Sequence, residues 1–167
     1  MGLTFVRTTE LIEATWSEID FEEQQWRIPA ERMKMKTPHI VPLSRQALQT
    51  LQDLQHISGY GEAVFRNQNN HTKPMSNNTI LKALAVAGYK SRMTGHGFRG
   101  LASTAPHEQG FDHQHIELQL AHQERNQVSA SYNHALYLNQ RAVMMQHWAD
   151  YLDEVKAGAK VISIKEA

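Results

Sequence analysis

Apolar positions alternate with polar ones in the early part of this chain and recur every third or fourth residue further on, and that change of period predicts where strands give way to helices. Residues 8–13 read as a short helix. Trp16, Ile19 and Phe21 then begin a β-rich stretch that continues through Trp26-Arg27-Ile28 and His39-Ile40-Val41, with turns near residues 21–25 and 33–37. Three such strands make a small antiparallel sheet. Ser44 is placed to cap a helix whose inward face is Ala47, Leu48, Leu51 and Leu54, and Gly59-Tyr60-Gly61 breaks it. Residues 67–75 are polar and turn-rich, so they read as a loop. Ser76 caps the next helix, with Ile80, Leu84 and Ala87 inward and Gly88 at its end.

Helical spacing dominates the second half: residues 97–108, then 112–121, then a short segment over 128–132. A long last helix is predicted over about residues 135–157, with Leu138, Ala142, Met145, Trp148, Leu152 and Val155 on its apolar face and Gly158 as its stop. Residues 160–164 alternate as a strand would, which makes 159–167 a tail with strand character. No repeat, linker or low-complexity stretch divides the chain, and the pattern predicts a single, mostly helical α+β domain with its sheet near the N-terminus.

Composition narrows the function classes. The chain has 167 residues and 41% hydrophobic content, enough for one core, and no cysteine, which removes disulfides, thiolate metal sites and a cysteine nucleophile. No apolar run is long enough to span a bilayer and no signal peptide is visible, so a cytoplasmic protein is expected. Formal net charge is zero, with 17 basic and 17 acidic residues. Their distribution is uneven. From Ala63 to Pro106 there is no Asp or Glu, while Arg66, Lys73, Lys82, Lys90, Arg92 and Arg99 all fall there, so this stretch is the candidate phosphate-facing surface.

Ten histidines invite a metal reading. His113-Gln114-His115 lacks carboxylate or thiolate company at ligand spacing, and His107-Glu108 is followed by Phe111 where a zinc-protease helix needs its second histidine. No metal or other cofactor is expected, and no phosphate-cradling glycine loop supports nucleotide use. A different set carries chemistry: Arg7, Lys34, His96, Arg99, His122 and Tyr132. Two arginines, a lysine and two histidines can hold and neutralise a phosphodiester, and a tyrosine can attack it. Four of them have an ordinary structural alternative: His122 as a helix-end group, Tyr132 as a half-buried aromatic, His96 and Arg99 as a chance pair on one helical turn.

In sequence order these residues stand in Arg7-Thr8-Thr9-Glu10-Leu11, Met33-Lys34-Met35 ahead of Val41-Pro42-Leu43, His96-Gly97-Phe98-Arg99, Leu120-Ala121-His122 and Tyr132-Asn133-His134. Together they resemble the catalytic domain of tyrosine recombinases, in particular phage and genomic-island integrases, and the likeness runs on through Trp148-Ala149-Asp150-Tyr151-Leu152. The resemblance implies site-specific DNA recombination through a 3′-phosphotyrosyl intermediate. Tyr132 would be the nucleophile in preference to Tyr137, and Lys34 the leaving-group acid in preference to Lys36. Arg7 and Arg99 would clamp the phosphate, His96 would assist proton transfer at the tyrosine, His122 would donate to a nonbridging oxygen and Glu10 would steady Arg7.

It further implies double-stranded DNA at attachment sites as substrate, a homo-tetramer on that DNA, an excisionase or host DNA-bending protein as partners of the longer protein, and a nucleoid-associated place of action. Recombinases of this kind carry core-binding and often arm-binding domains upstream, whereas only six residues precede Arg7 here, so the chain is expected to be a fragment, either cut from a longer protein or encoded by a truncated gene, and to lack the opening helices of the catalytic domain as well. Weak DNA affinity and little complete recombination are expected of it in isolation. Two departures from the family pattern stand out. Thr8-Thr9 replaces the usual Pro-Gly, and Pro106 is expected to end its helix early. A catalytically silent DNA-binding or oligomerising fragment, or relaxation of DNA in the manner of type IB topoisomerases, are the competing functions.

Overall fold

The computed structural model describes residues 1–122 and 136–158. Tyr132, the expected 128–132 segment and the expected 160–164 strand lie outside the described residues. Within them the elements follow the change of period. Helix α1 (Thr8–Ile12) precedes β1 (Ile19–Asp20), β2 (Gln25–Ile28) and β3 (His39–Pro42), and five helices follow: α2 (Arg45–Ser58), α3 (Asn77–Val86), α4 (Gly95–Glu108), α5 (His113–Gln119) and α6 (Leu138–Lys156). None of the described helices is long and apolar enough to cross a membrane.

The sheet is antiparallel in the order β1-β2-β3. Its register sets Ile19 opposite Trp26 and Trp26 opposite Val41, a row of three buried side chains on one face. Burying large apolar side chains of this kind is worth roughly 1.5–3 kcal/mol each, so the row fixes which face looks inward. Trp16, expected to begin a strand, instead lies in a 3₁₀ turn (Trp16–Glu18), where its indole donates to the Ser58 carbonyl and stacks near Phe21. A second 3₁₀ turn (Ala30–Arg32) leads into the loop carrying Lys34.

Two apolar clusters form the core. One joins the sheet to α2 through Val6, Ile28, Val41, Ala47, Leu48 and Val64 among others, and the second joins α4, α5 and α6 through Phe5, Ala102, Ile116, Leu120, Met144 and Trp148. Consecutive residues Phe5 and Val6 belong to different clusters, so the segment leading into Arg7 runs along the seam between them. Leu120 sits in the helical cluster while Ala121 packs against the sheet cluster, which puts a second crossing at the same seam. Outside the apolar clusters, Asp150 of α6 accepts from Gln46, Gln146 and Arg45, clasping α6 to the start of α2.

Three helical expectations change. α4 begins at Gly95, two residues before the expected start, because the Thr94 hydroxyl accepts from the Gly97 amide and caps it. It also continues through Pro106 to Glu108. The proline ring is fully buried and removes a single N–H from the ladder, and the Gln109 N–H beyond it still reaches the Ala105 carbonyl, so the helix closes its last turn. In α6 the inward face is rotated: Arg141, Met144, Met145, Trp148 and Ala149 are buried, while Ala142 and Val155 are exposed. The rotation is set by Arg141, whose guanidinium donates to the Gln119 side-chain oxygen and to the Ile40 carbonyl. Burial lowers its pKa to about 10.

Candidate active site

Arg7 precedes the first residue of α1 at the seam between the clusters. Its backbone N–H and one guanidinium N–H both donate to the Glu10 carboxylate, at 2.7 Å each, and a second guanidinium N–H donates to the Ala121 carbonyl at 3.3 Å. Glu10 is 2% exposed and Arg7's side chain 24%, so the carboxylate is enclosed while the guanidinium keeps an open side. One glutamate thus does two jobs: it satisfies an orphan N–H at the helix start and fixes the direction of the arginine.

Arg99 reaches the same place from the second turn of α4. It donates to the Phe5 carbonyl at 2.9 Å and to the Leu120 carbonyl. Burial lowers its pKa, the adjacent positive charge of Arg7 lowers it further, and Glu10 and Glu117 act in the opposite direction. Two guanidinium groups are therefore held together against their mutual repulsion, each oriented by one of two consecutive carbonyls, Leu120 and Ala121. Each uses two of its five N–H groups on these partners among the described residues.

Those carbonyls are presented by the end of α5. Ala121 has φ +48°, the left-handed conformation that usually takes glycine at a helix C-terminus, and the amides of Ala121 and His122 return to Leu118 and Glu117. The chain then delivers His122, whose Nδ1 lies 2.9 Å from the Glu117 carboxylate. That contact occupies Nδ1 and leaves Nε2 as the ring's other polar atom. On the opposite side, Phe5 has φ +60°, a strained setting for a buried aromatic, and its carbonyl is the one that receives Arg99.

His96 lies on the first turn of α4 and is exposed. Its neighbour Gly95 packs against Thr8 so closely that a Cβ there would stand 2.6 Å from the Thr8 hydroxyl, which draws the α4 N-terminus onto the start of α1 beside Arg7. Lys34 is exposed in the turn closed by the Lys36 amide and the Met33 carbonyl. Its rival Lys36 has its ammonium on the Glu31 carbonyl at 3.0 Å. Tyr137, the rival to Tyr132, has its ring 4.7 Å from that of His115 and starts α6 with φ +52°. The structure thus gathers Arg7, Glu10, Arg99 and His122, borders them with the helix turn that carries His96, and keeps Lys34 on a separate loop.

The basic stretch divides. Lys73, Lys82, Lys90 and Arg92 are exposed, whereas Arg66 lies 3.8 Å over the Tyr60 ring and donates to the Ile57 carbonyl. Arg66 is therefore engaged in holding the end of α2, and the other four are better placed to meet a phosphate. His107 and His113 share a 3.0 Å contact between ring nitrogens. Among the described residues, no group of three or more His, Asp or Glu side chains is placed to hold a metal ion.

Four residues around the site were not singled out from the sequence. Glu117 is legible only once the helix ending at His122 is known. Gln119, fully buried, accepts from Arg141 at its side-chain oxygen, donates its side-chain N–H to the Thr4 carbonyl and accepts from His39 at its backbone carbonyl, 3.2 Å away, so the residue before Leu120 is anchored on three sides. Arg141 could have been found as a charge four residues before Met145 on an apolar stripe. Arg32 gave no periodic signal at all.

Comparisons with known proteins identify the family and the fold. The sequence model of the "Phage integrase family" matches residues 1–139. The integrase of Enterobacteria phage P4 is 48% identical, aligned over 90% of this chain and 38% of its own length. Prophage integrase IntA of Escherichia coli K12 is 43% identical over 96% of this chain and 39% of its own. The chain thus spans about two-fifths of the length of these relatives. Among solved structures, XerA recombinase superposes with a TM-score of 0.62 at 20% identity, covering 86% of this chain and 54% of that one. The Tn1549 transposon integrase in complex with circular intermediate DNA gives 0.55 at 20% identity, over 86% and 54%. At that identity the superpositions establish the fold.

Proposed function

Since the chain belongs to the phage integrase family, we propose that it is the catalytic part of a site-specific recombinase that cuts and rejoins double-stranded DNA through a 3′-phosphotyrosyl intermediate. The observation that carries the reading is the pairing of Arg7 and Arg99 on the consecutive carbonyls of Ala121 and Leu120, at the helix end that delivers His122. Cleavage of a phosphodiester builds negative charge on the nonbridging oxygens. Fixed guanidinium donors lower that barrier because their orientation is settled before the reaction begins.

In this reading the Tyr132 oxygen attacks phosphorus, the bond from phosphorus to the 5′-oxygen breaks, and the phosphotyrosyl ester keeps the bond energy for resealing. His96 takes part in moving the tyrosyl proton and His122 donates to a nonbridging oxygen. Lys34 gives its proton to the departing 5′-oxygen, and Lys36's contact with Glu31 favours Lys34 over it. Glu10 positions Arg7. Lys73, Lys82, Lys90 and Arg92 bind the flanking phosphates. Assembly of four protomers on paired attachment sites, help from an excisionase or a host DNA-bending protein, and action in the cytoplasm at the nucleoid belong to the same proposal.

The test is covalent trapping on a nicked suicide duplex carrying the attachment site, with this chain alone and with its upstream sequence restored. The expected result is a denaturation-resistant protein–DNA adduct that Tyr132→Phe abolishes and Tyr137→Phe leaves in place. DNA binding without an adduct in either form would replace the proposal with a silent binding fragment. Relaxation of supercoiled plasmid without exchange between two sites would replace recombination with a topoisomerase-like activity.

A further inference from the structure

Lys34 and the arginine pair stand on different pieces of the fold, and the question is what keeps an exposed lysine in register with a phosphate held elsewhere. The connection runs through Arg32. One of its terminal N–H groups donates to the Glu18 carboxylate and the other terminal nitrogen donates to the backbone carbonyl of Glu10. Glu18 is held from the other side, at 2.9 Å, by the indole N–H of the buried Trp26 in the middle strand. The ion pair is enclosed, with side-chain exposures of 15% for Arg32 and 7% for Glu18.

The position of Arg32 gives this connection its meaning. It is the last residue of the 3₁₀ turn, followed by Met33, which is 2% exposed in the sheet cluster, and then by Lys34. Glu10, at the other end, is the residue whose carboxylate orients Arg7. Its side chain thus faces one arginine and its carbonyl faces the other. A surface pair of this kind would contribute little, but an enclosed pair with a second bond to a carbonyl fixes two backbones relative to each other.

We infer that Arg32 is a positioning residue, which locks the loop carrying Lys34 onto the helix start carrying Arg7 and so aligns the leaving-group acid with the phosphate clamp. This rests on the role proposed above for Lys34. The arrangement has a specific kinetic signature. An alkoxide is a poor leaving group and needs the proton, whereas a thiolate, the conjugate base of a far stronger acid than an alcohol, departs without one. A DNA duplex with sulfur in place of the 5′-bridging oxygen is therefore cleaved at a rate that does not depend on where Lys34 stands. In that substrate the Tyr132 oxygen bonds to phosphorus, the phosphorus–sulfur bond breaks and the electron pair leaves on sulfur.

The experiment compares single-turnover cleavage of the 5′-oxygen and 5′-sulfur duplexes by the parent and by Arg32→Lys, which keeps the charge opposite Glu18 but cannot reach two partners at once. Glu18→Gln, which keeps an acceptor for Trp26, is a second and milder variant. Displacement of a reacting group by about 1 Å costs up to roughly 100-fold. Arg32→Lys is expected to slow cleavage of the oxygen duplex by about 10- to 100-fold and of the sulfur duplex by less than about threefold, with Glu18→Gln showing the same selectivity at smaller size. Lys34→Met, the reference, should lose about 100-fold or more on oxygen and be rescued on sulfur. Equal losses on both substrates in the Arg32 and Glu18 variants, with Lys34→Met still rescued, would overturn the inference and leave the role of Lys34 standing. Failure of sulfur to rescue Lys34→Met would overturn that role and the inference with it.

Discussion

Removing the Glu10 carboxylate should damage stability and chemistry together, and by different amounts depending on what replaces it. Glu10→Ala deletes the acceptor of the Arg7 amide, a helix-start bond worth about 1 kcal/mol. It also deletes the 2.7 Å charge-assisted bond to the guanidinium. Such bonds contribute about 1.5–3 kcal/mol, and the lower end applies because Arg7 can turn to water on its open side. Losing the enclosed side-chain methylene adds somewhat less than 1 kcal/mol. The total is about 3 kcal/mol. With a urea dependence of about 2 kcal/mol per molar for a domain of this size, the unfolding midpoint should fall by about 1.5 M. Glu10→Gln keeps the volume and one acceptor, and should lose about half as much. In both variants Arg7 is no longer aimed, so adduct formation on the suicide duplex should fall by at least about tenfold even well below the unfolding midpoint. A midpoint for Glu10→Ala within about 0.3 M of the parent would refute the assignment of Glu10 as the shared support of α1 and Arg7.

Ala121→Gly should raise stability by up to about 1 kcal/mol, read as an increase in melting temperature, because the residue sits at φ +48° where a side chain is strained. Arg99→Lys should preserve folding measured by circular dichroism but cut adduct formation by about 100-fold or more, since an ammonium cannot take the Phe5 and Leu120 carbonyls and a phosphate with fixed directions. The clasp between α2 and α6 should be acid-sensitive: bonds from Gln46, then Gln146 and Arg45, hold the Asp150 pKa below its ordinary 3.8. A carboxylate depressed in the folded state stabilises it above its unfolded pKa, and the contribution is lost as pH falls through the folded one, so unfolding monitored below about pH 4 should be steeper in the parent than in Asp150→Asn.

Much of the fold was legible because it rests on periodicity. The strands at Trp26 and His39, the Ser44 and Gly88 boundaries and the α2 face all follow from the spacing of apolar residues and from capping chemistry. The rotated face of α6 was not, because a buried arginine counts as surface in any hydropathy pattern until its partners on α5 and β3 are known. Pro106 misled because one missing N–H does not stop a ladder whose next bond, from the Gln109 N–H to the Ala105 carbonyl, still forms. The candidate site was legible as a set of residue types in order, yet its geometry depends on contacts far apart in sequence. Nothing in residues 28–36 announces that Arg32 meets Glu10 and Glu18, and nothing near residue 7 announces the Leu120 and Ala121 carbonyls.

The most direct test of the central claim is to identify the amino acid that carries the DNA. The trapped adduct would be digested with nuclease and protease, and the modified peptide sequenced by tandem mass spectrometry. The account predicts a 3′-linked nucleotide on Tyr132 in the parent, and its disappearance in Arg7→Ala and Arg99→Ala. A nucleotide on Tyr137 or on any other residue, or an unchanged yield on Tyr132 when both arginines are replaced, would contradict it.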